Sequence, residues 1–170
     1  MKNKTSTKLY NVIFPIWIIW LFPITWIVVL PANFIIDSVV ILITLMVLKV
    51  NDKKTIYKKA IFKAWIFGFL SDFIGAAIMI IPSLIFNKLP NDISMWIDKN
   101  LISPLAYNPF SNIYSALWGI LAVIIAGYFI YLLNYKITLK NIDIEVRSKK
   151  MLAISLAVFT APYLFLIPII

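Results

Sequence analysis

The chain has 170 residues, 62% of them hydrophobic and 14% charged, with a net charge of +9 and a mean hydropathy of +0.94. A soluble domain of this length cannot bury that much apolar surface, so a soluble globular fold is excluded. The chain contains neither Cys nor His, which excludes disulfides, thiolate or imidazole metal sites, Cys–His nucleophiles and His proton shuttles.

Apolar runs recur along the whole length, and most reach the roughly 18–20 residues that cross about 30 Å of hydrocarbon as a helix. Lipid tolerates no unpaired backbone, and the alternating pattern of a barrel is missing, so the expected fold is an all-α integral membrane protein. In chain order the expected spans are Val12–Leu30, Phe34–Leu48, Ala64–Phe86, Ile113–Tyr135 and Met151–Ile170. Together they predict a bundle of about five transmembrane helices forming one domain over residues 1–170.

Lysines at the start resemble a secretory signal, but Leu30-Pro31-Ala32 puts a large residue where cleavage prefers a small one. A retained anchor is expected. Within this first span Pro15, Pro23 and Pro31 recur every eight residues. Pro23 falls mid-span, where it should kink the helix and leave the Ile19 carbonyl without its usual donor. A static kink filled by neighbours is expected rather than a hinge, with Trp20 packed against another helix. Pro31-Ala32-Asn33 reads as a turn into the second span.

In the second span Asn33, Asp37 and Thr44 lie within about 40° of one another on a helix. Asp37 would sit roughly 6 Å from the outer boundary, and two readings stay open for it. It caps a helix starting at Ser38, or it contacts a solute or ion.

The third span carries Gly68, Asp72, Gly75 and Met79 on one face, with Ser71 and Ala76 beside it. Small residues at that spacing admit a neighbouring helix closely. Asp72 lies about 13 Å above Lys63, nearly mid-membrane, and an ionised carboxylate there costs at least ~2.5–3.5 kcal/mol on insertion scales. No Lys or Arg occurs within any span to offset it. Asp72 must therefore be protonated, bind a cation, face water, or accept several hydrogen bonds. The candidate solute- or ion-binding set is Asp72, Asp37, Asn33, Ser71 and Thr44.

The fourth span repeats the packing theme with Ser115, Gly119, Ala122 and Ala126, expected against the Gly68–Gly75 face or a partner's helix. In the fifth, Pro162 with nearby Thr160 predicts another kink. Between the third and fourth spans, Ile93, Trp96, Ile97 and Leu101 trace an apolar face, predicting a short surface helix. Residues 136–150 fit a strand or a helix equally.

Five spans place fourteen basic residues on one side and only Lys88 and Lys99 on the other. Positive residues stay cytoplasmic, so the amino terminus is expected inside and the carboxyl terminus outside. The expected location is a bacterial cytoplasmic membrane. Orientation accounts for the lysines, and nucleic acid is not an expected partner.

Chemistry has few candidates. An aspartyl-protease dyad of Asp37 and Asp72 is disfavoured by a vertical separation of about 11 Å and by Ser71 where such enzymes carry Gly. No phosphate loop or serine elbow is present, so the protein is not expected to be an enzyme and no cofactor or metal is implied. Two functions remain open. One is a transport component handling a cation, proton or small polar solute through Asp72; the other is an accessory or immunity-type protein that docks on another membrane protein or on itself.

Overall fold

The computed structural model describes residues 15–86 and 88–169. The described residues are mostly helical, with no strand, and they include four helices long and apolar enough to cross a membrane. The protein is a multi-pass integral membrane protein. Of the expected features, Val12–Phe14 and Lys2, Lys4 and Lys8 lie outside the described residues.

Two crossings are straightforward. Helix α2 runs Lys53–Phe86, about 51 Å long at 1.5 Å per residue, so its first third, bearing the lysines, overhangs the hydrocarbon. After α2 the chain makes four short helical pieces: α3 (Asn91–Ile97), a π turn (Asp98–Ile102), α4 (Ser103–Tyr107) and a 3₁₀ turn (Pro109–Ser111). Helix α5 (Ile113–Leu133) then returns antiparallel to α2 and ends in a π turn, Asn134–Thr138. Trp96 of α3 sets its ring 4.9 Å from that of Tyr114, which ties the expected surface helix to the start of α5.

The first crossing departs from expectation. Ile16–Leu21 and Pro23–Thr25 form two short 3₁₀ helices, and Trp26–Val47 is one helix, α1, with Pro31 inside it. The expected turn at Pro31–Asn33 is absent, and Asp37 is mid-helix rather than a cap before Ser38, whose hydroxyl binds the Phe34 carbonyl instead. Stopping a helix in lipid strands several backbone groups, whereas Pro31 removes a single donor. Next to the proline, the Trp65 indole donates to the Leu30 carbonyl at 2.7 Å and ties α1 to α2. Two expected spans thus become one crossing over the described residues. With four crossings the first and last described residues lie at the same end, so the expected opposite sides for the two termini do not follow from this count.

The last crossing is broken. Helix α6 covers Val146–Phe159, only about 21 Å. Thr160–Pro162 interrupt it, and a 3₁₀ turn, Tyr163–Leu166, carries the chain on. The first and last crossings are therefore α-helical at the lysine-bearing end and 3₁₀ at the other. Their 3₁₀ parts meet where Trp20 packs edge-to-face on Phe165 at 5.2 Å. Both also reach α4, through the Trp17 indole on the Leu105 carbonyl (3.1 Å) and the Ile169 amide on the Tyr107 carbonyl (2.7 Å).

The apolar core has two parts. Near the lysine-bearing end Ile41, Leu45, Ala60, Ile130, Leu152 and Leu156 pack together. Toward the other end Trp17, Trp20, Ala76, Met79, Ala122 and Phe165 do so. Gly75 makes the α2–α5 contact possible, because a methyl group there would stand 2.9 Å from Phe165 Cε2 and 3.1 Å from Ala126 Cβ.

Candidate functional site

Between the two core regions, where α1, α2 and the break after α6 face one another, lies a cavity of about 230 Å³. Asn33, Asp37, Gly68, Asp72 and Thr160 line it, with Trp20, Ile36, Phe159, Tyr163 and Ile167 among its apolar and aromatic walls. Both aspartates are 3% exposed.

Antiparallel packing of α1 on α2 brings them together. Asn33 lies opposite Asp72, its side-chain amide donating to Asp72 Oδ2 at 3.2 Å, and the Trp20 indole donates to the same oxygen at 3.3 Å. One turn toward the lysine end, Asp37 faces Gly68, where a methyl group would stand 3.3 Å from its Oδ2. Gly68 and Asp72 are four residues apart on α2, about 6 Å along the axis. The separation of about 11 Å expected from sequence is therefore corrected. It assumed a membrane boundary at Pro31–Asn33, whereas α1 starts at Trp26 and a further 3₁₀ segment lies beyond it.

The hydrogen-bond inventory is short on donors. Thr160 lies beside Asp37, but its hydroxyl also binds the Leu156 carbonyl at 2.8 Å, and one proton serves one acceptor at a time. Asp72 Oδ1 and Asp37 Oδ2 are buried without a hydrogen-bond partner among the described residues. A buried acceptor left unmet costs about 1–3 kcal/mol, more if charged. The end of α6 adds partial negative charge from its last carbonyls. Two carboxyls, a helix carboxyl end and no base make a site that favours positive charge.

The remaining candidates fall elsewhere. Ser71 is buried and donates to the Phe67 carbonyl of its own helix at 2.7 Å. Thr44 sits half-buried on α1, away from the cavity lining. Gly68 accommodates the Asp37 side chain rather than a helix backbone, while Gly75, Ala122 and Ala126 form the α2–α5 contact. Gly119 instead faces Leu166 of the last crossing, with Cδ2 2.8 Å from where a methyl group would be. Trp20 and Thr160 complete the site but were not in the sequence-derived set. Their signals were an indole inside an apolar run and a hydroxyl two residues before a mid-span proline.

At three prolines the carbonyl left without its usual helical donor is met by a side chain. The carbonyl four residues before Pro23, that of Ile19, accepts from the Thr25 hydroxyl. Before Pro82, the Ile78 carbonyl accepts from the Trp118 indole at 3.1 Å, and before Pro162, the Val158 carbonyl accepts from the Tyr163 hydroxyl at 2.6 Å. Comparison with family models, curated proteins and solved structures finds no match.

Proposed function

We propose that this protein is a membrane transport component in which Asp72, with Asp37 and Asn33, handles a cation, proton or small polar solute. One observation carries the reading: two carboxyls from different helices line a single cavity at the break of a membrane crossing, with fewer donors than their oxygens need. Broken helices whose carboxyl ends and unwound segments meet acidic side chains are a recurrent way to hold a cation at the bilayer midplane. The alternative of an accessory protein needs free small-residue faces. Gly75 and Gly119 are covered within the chain by Phe165, Ala126 and Leu166, which favours the transport reading. In this reading the protein is not an enzyme. The lysine-bearing end faces the cytoplasm of a bacterial inner membrane, leaving the carboxyl end outside.

The test is thermal stability of wild type, Asp72→Asn and Asp72→Leu in mild detergent, across monovalent and divalent salts. Asparagine keeps the shape and the hydrogen bonds with Trp20 and Asn33 but cannot ionise. Asp72→Asn should be at least as stable as wild type and lose any cation-dependent shift in Tm, while Asp72→Leu should fold less well. Identical salt responses in wild type and Asp72→Asn would reduce Asp72 to a structural hydrogen-bond partner.

A further inference from the structure

Few of the side chains around this cavity carry a carboxyl, amide or aliphatic hydroxyl oxygen. Asn33, Asp37, Asp72 and Thr160 do, and the rest of the lining is apolar or aromatic. A bare hard cation needs about six oxygens around it, and here most of the wall offers carbon. The space, about 230 Å³, is far larger than such an ion fills. Too apolar to be a hydrated pore, it has the form of a receptacle for a ligand with one charged end and a hydrophobic body.

The mouth has the same character. Ile36, Phe159, Tyr163, Leu164 and Ile167 are all among the large apolar side chains exposed on the surface, and all line the cavity. They belong to α1 and to the last crossing, at membrane depth, so the rim between these elements faces lipid. Trp20, Phe159 and Tyr163 bring aromatic rings to the wall, and ring faces attract quaternary ammonium groups.

We infer that the cavity binds an amphipathic organic cation, an ammonium group on a small hydrophobic body, which enters sideways from the bilayer and sets its charge against Asp37 and Asp72. The inference rests on reading the carboxyl pair as a cation site and names its ligand class. Charge complementarity comes from two acids with no base in the cavity lining, and the apolar walls and lipid-facing rim set the body and the route.

Four probes separate the possibilities on the full chain in nonionic detergent: benzyltrimethylammonium, its uncharged isostere neopentylbenzene, tetramethylammonium and sodium. Benzyltrimethylammonium should raise Tm saturably and bind about tenfold or more tighter than the other three, the size of effect expected from a desolvated charge contact. Asp72→Asn and Asp37→Asn should each remove that preference over neopentylbenzene. Ala161→Leu, which narrows the wall without touching a carboxyl, should weaken benzyltrimethylammonium while leaving any sodium response unchanged. An Asp72-dependent response to sodium alone overturns this inference and leaves the proposed function standing. Equal binding of the charged and uncharged isosteres overturns it as well. The lack of an Asp72-dependent response to any probe also overturns it, and restricts the proposed function to a proton or a small polar solute. Should the Asn variants fail to fold, the charged-against-uncharged comparison in wild type and the Ala161→Leu result decide.

Discussion

Asp37 fits inside the bundle because residue 68 is glycine: its Oδ2 occupies space 3.3 Å from where a methyl group on Gly68 would stand. The two positions should therefore be coupled. Gly68→Ala should destabilise wild type by about 1 kcal/mol, since the carboxyl must shift within a packed site. In an Asp37→Ala background the same change should be stabilising by up to about 1 kcal/mol, because the space is free and alanine favours the helix. Denaturant or thermal unfolding of the four proteins in detergent measures the coupling. Additive effects would mean that Asp37 does not rest on Gly68.

The other two helix-packing glycines should differ in sensitivity. At Gly75 an added methyl group meets Phe165 and the short, immobile Ala126 side chain, so Gly75→Ala should cost about 1–3 kcal/mol. At Gly119 the close atom is Cδ2 of Leu166, the movable end of a side chain. Gly119→Ala should stay within about 1 kcal/mol of wild type, because the helix gain offsets the shift. Melting temperatures in detergent check the order, and a larger loss at Gly119 would contradict it.

Trp118 and Pro82 sit on different helices but share one carbonyl, that of Ile78. Trp118→Phe should cost about 1–3 kcal/mol by leaving that oxygen unmet in the membrane interior. With Pro82→Ala the backbone amide at 82 returns, so the additional cost of losing the indole should fall by more than half. A double-mutant cycle measured by unfolding reads this directly. An unchanged cost of Trp118→Phe in the Pro82→Ala background would assign the indole to packing alone.

Sidedness can be read in intact cells. Cysteines placed at Asn51 and Asn141, at the lysine-bearing end, should resist an impermeant thiol reagent, while one at Asn100 should react. The lack of native cysteine makes the background clean. Reaction at Asn51 from outside would invert the orientation.

Asp72 was legible in the sequence because its environment is written locally, in a long apolar run with glycines one turn away on the same face. Its partnership with Asp37 was not. That depends on where α1 begins, and Pro31 is a strong stop signal whose effect here is overridden by the cost of open backbone in lipid. Asn33 was placed on the same helix face as Asp37, yet its bond to Asp72 depends on the same register. Thr160 carries no charge and no period; only the break at Pro162, a non-local outcome of how the last crossing packs, turns it toward the cavity. The small-residue faces were visible, but which glycine meets which neighbour was not. Gly119 meets the 3₁₀ turn of the last crossing, an element that helical periodicity cannot foresee.

The side-chain donors on the carbonyls of Ile19, Ile78 and Val158 bear on stiffness. A proline in a helix is ordinarily a soft joint, since the missing bond lets the two halves swing at small cost. Here each joint is latched, two by a hydroxyl close by in the chain and one by an indole on another helix. Bending α2 at Pro82 would have to drag α5 along or break the Trp118 contact. Compliance is then expected away from the prolines, at the lipid-facing seam between α1 and the last crossing, which is the side on which the cavity opens.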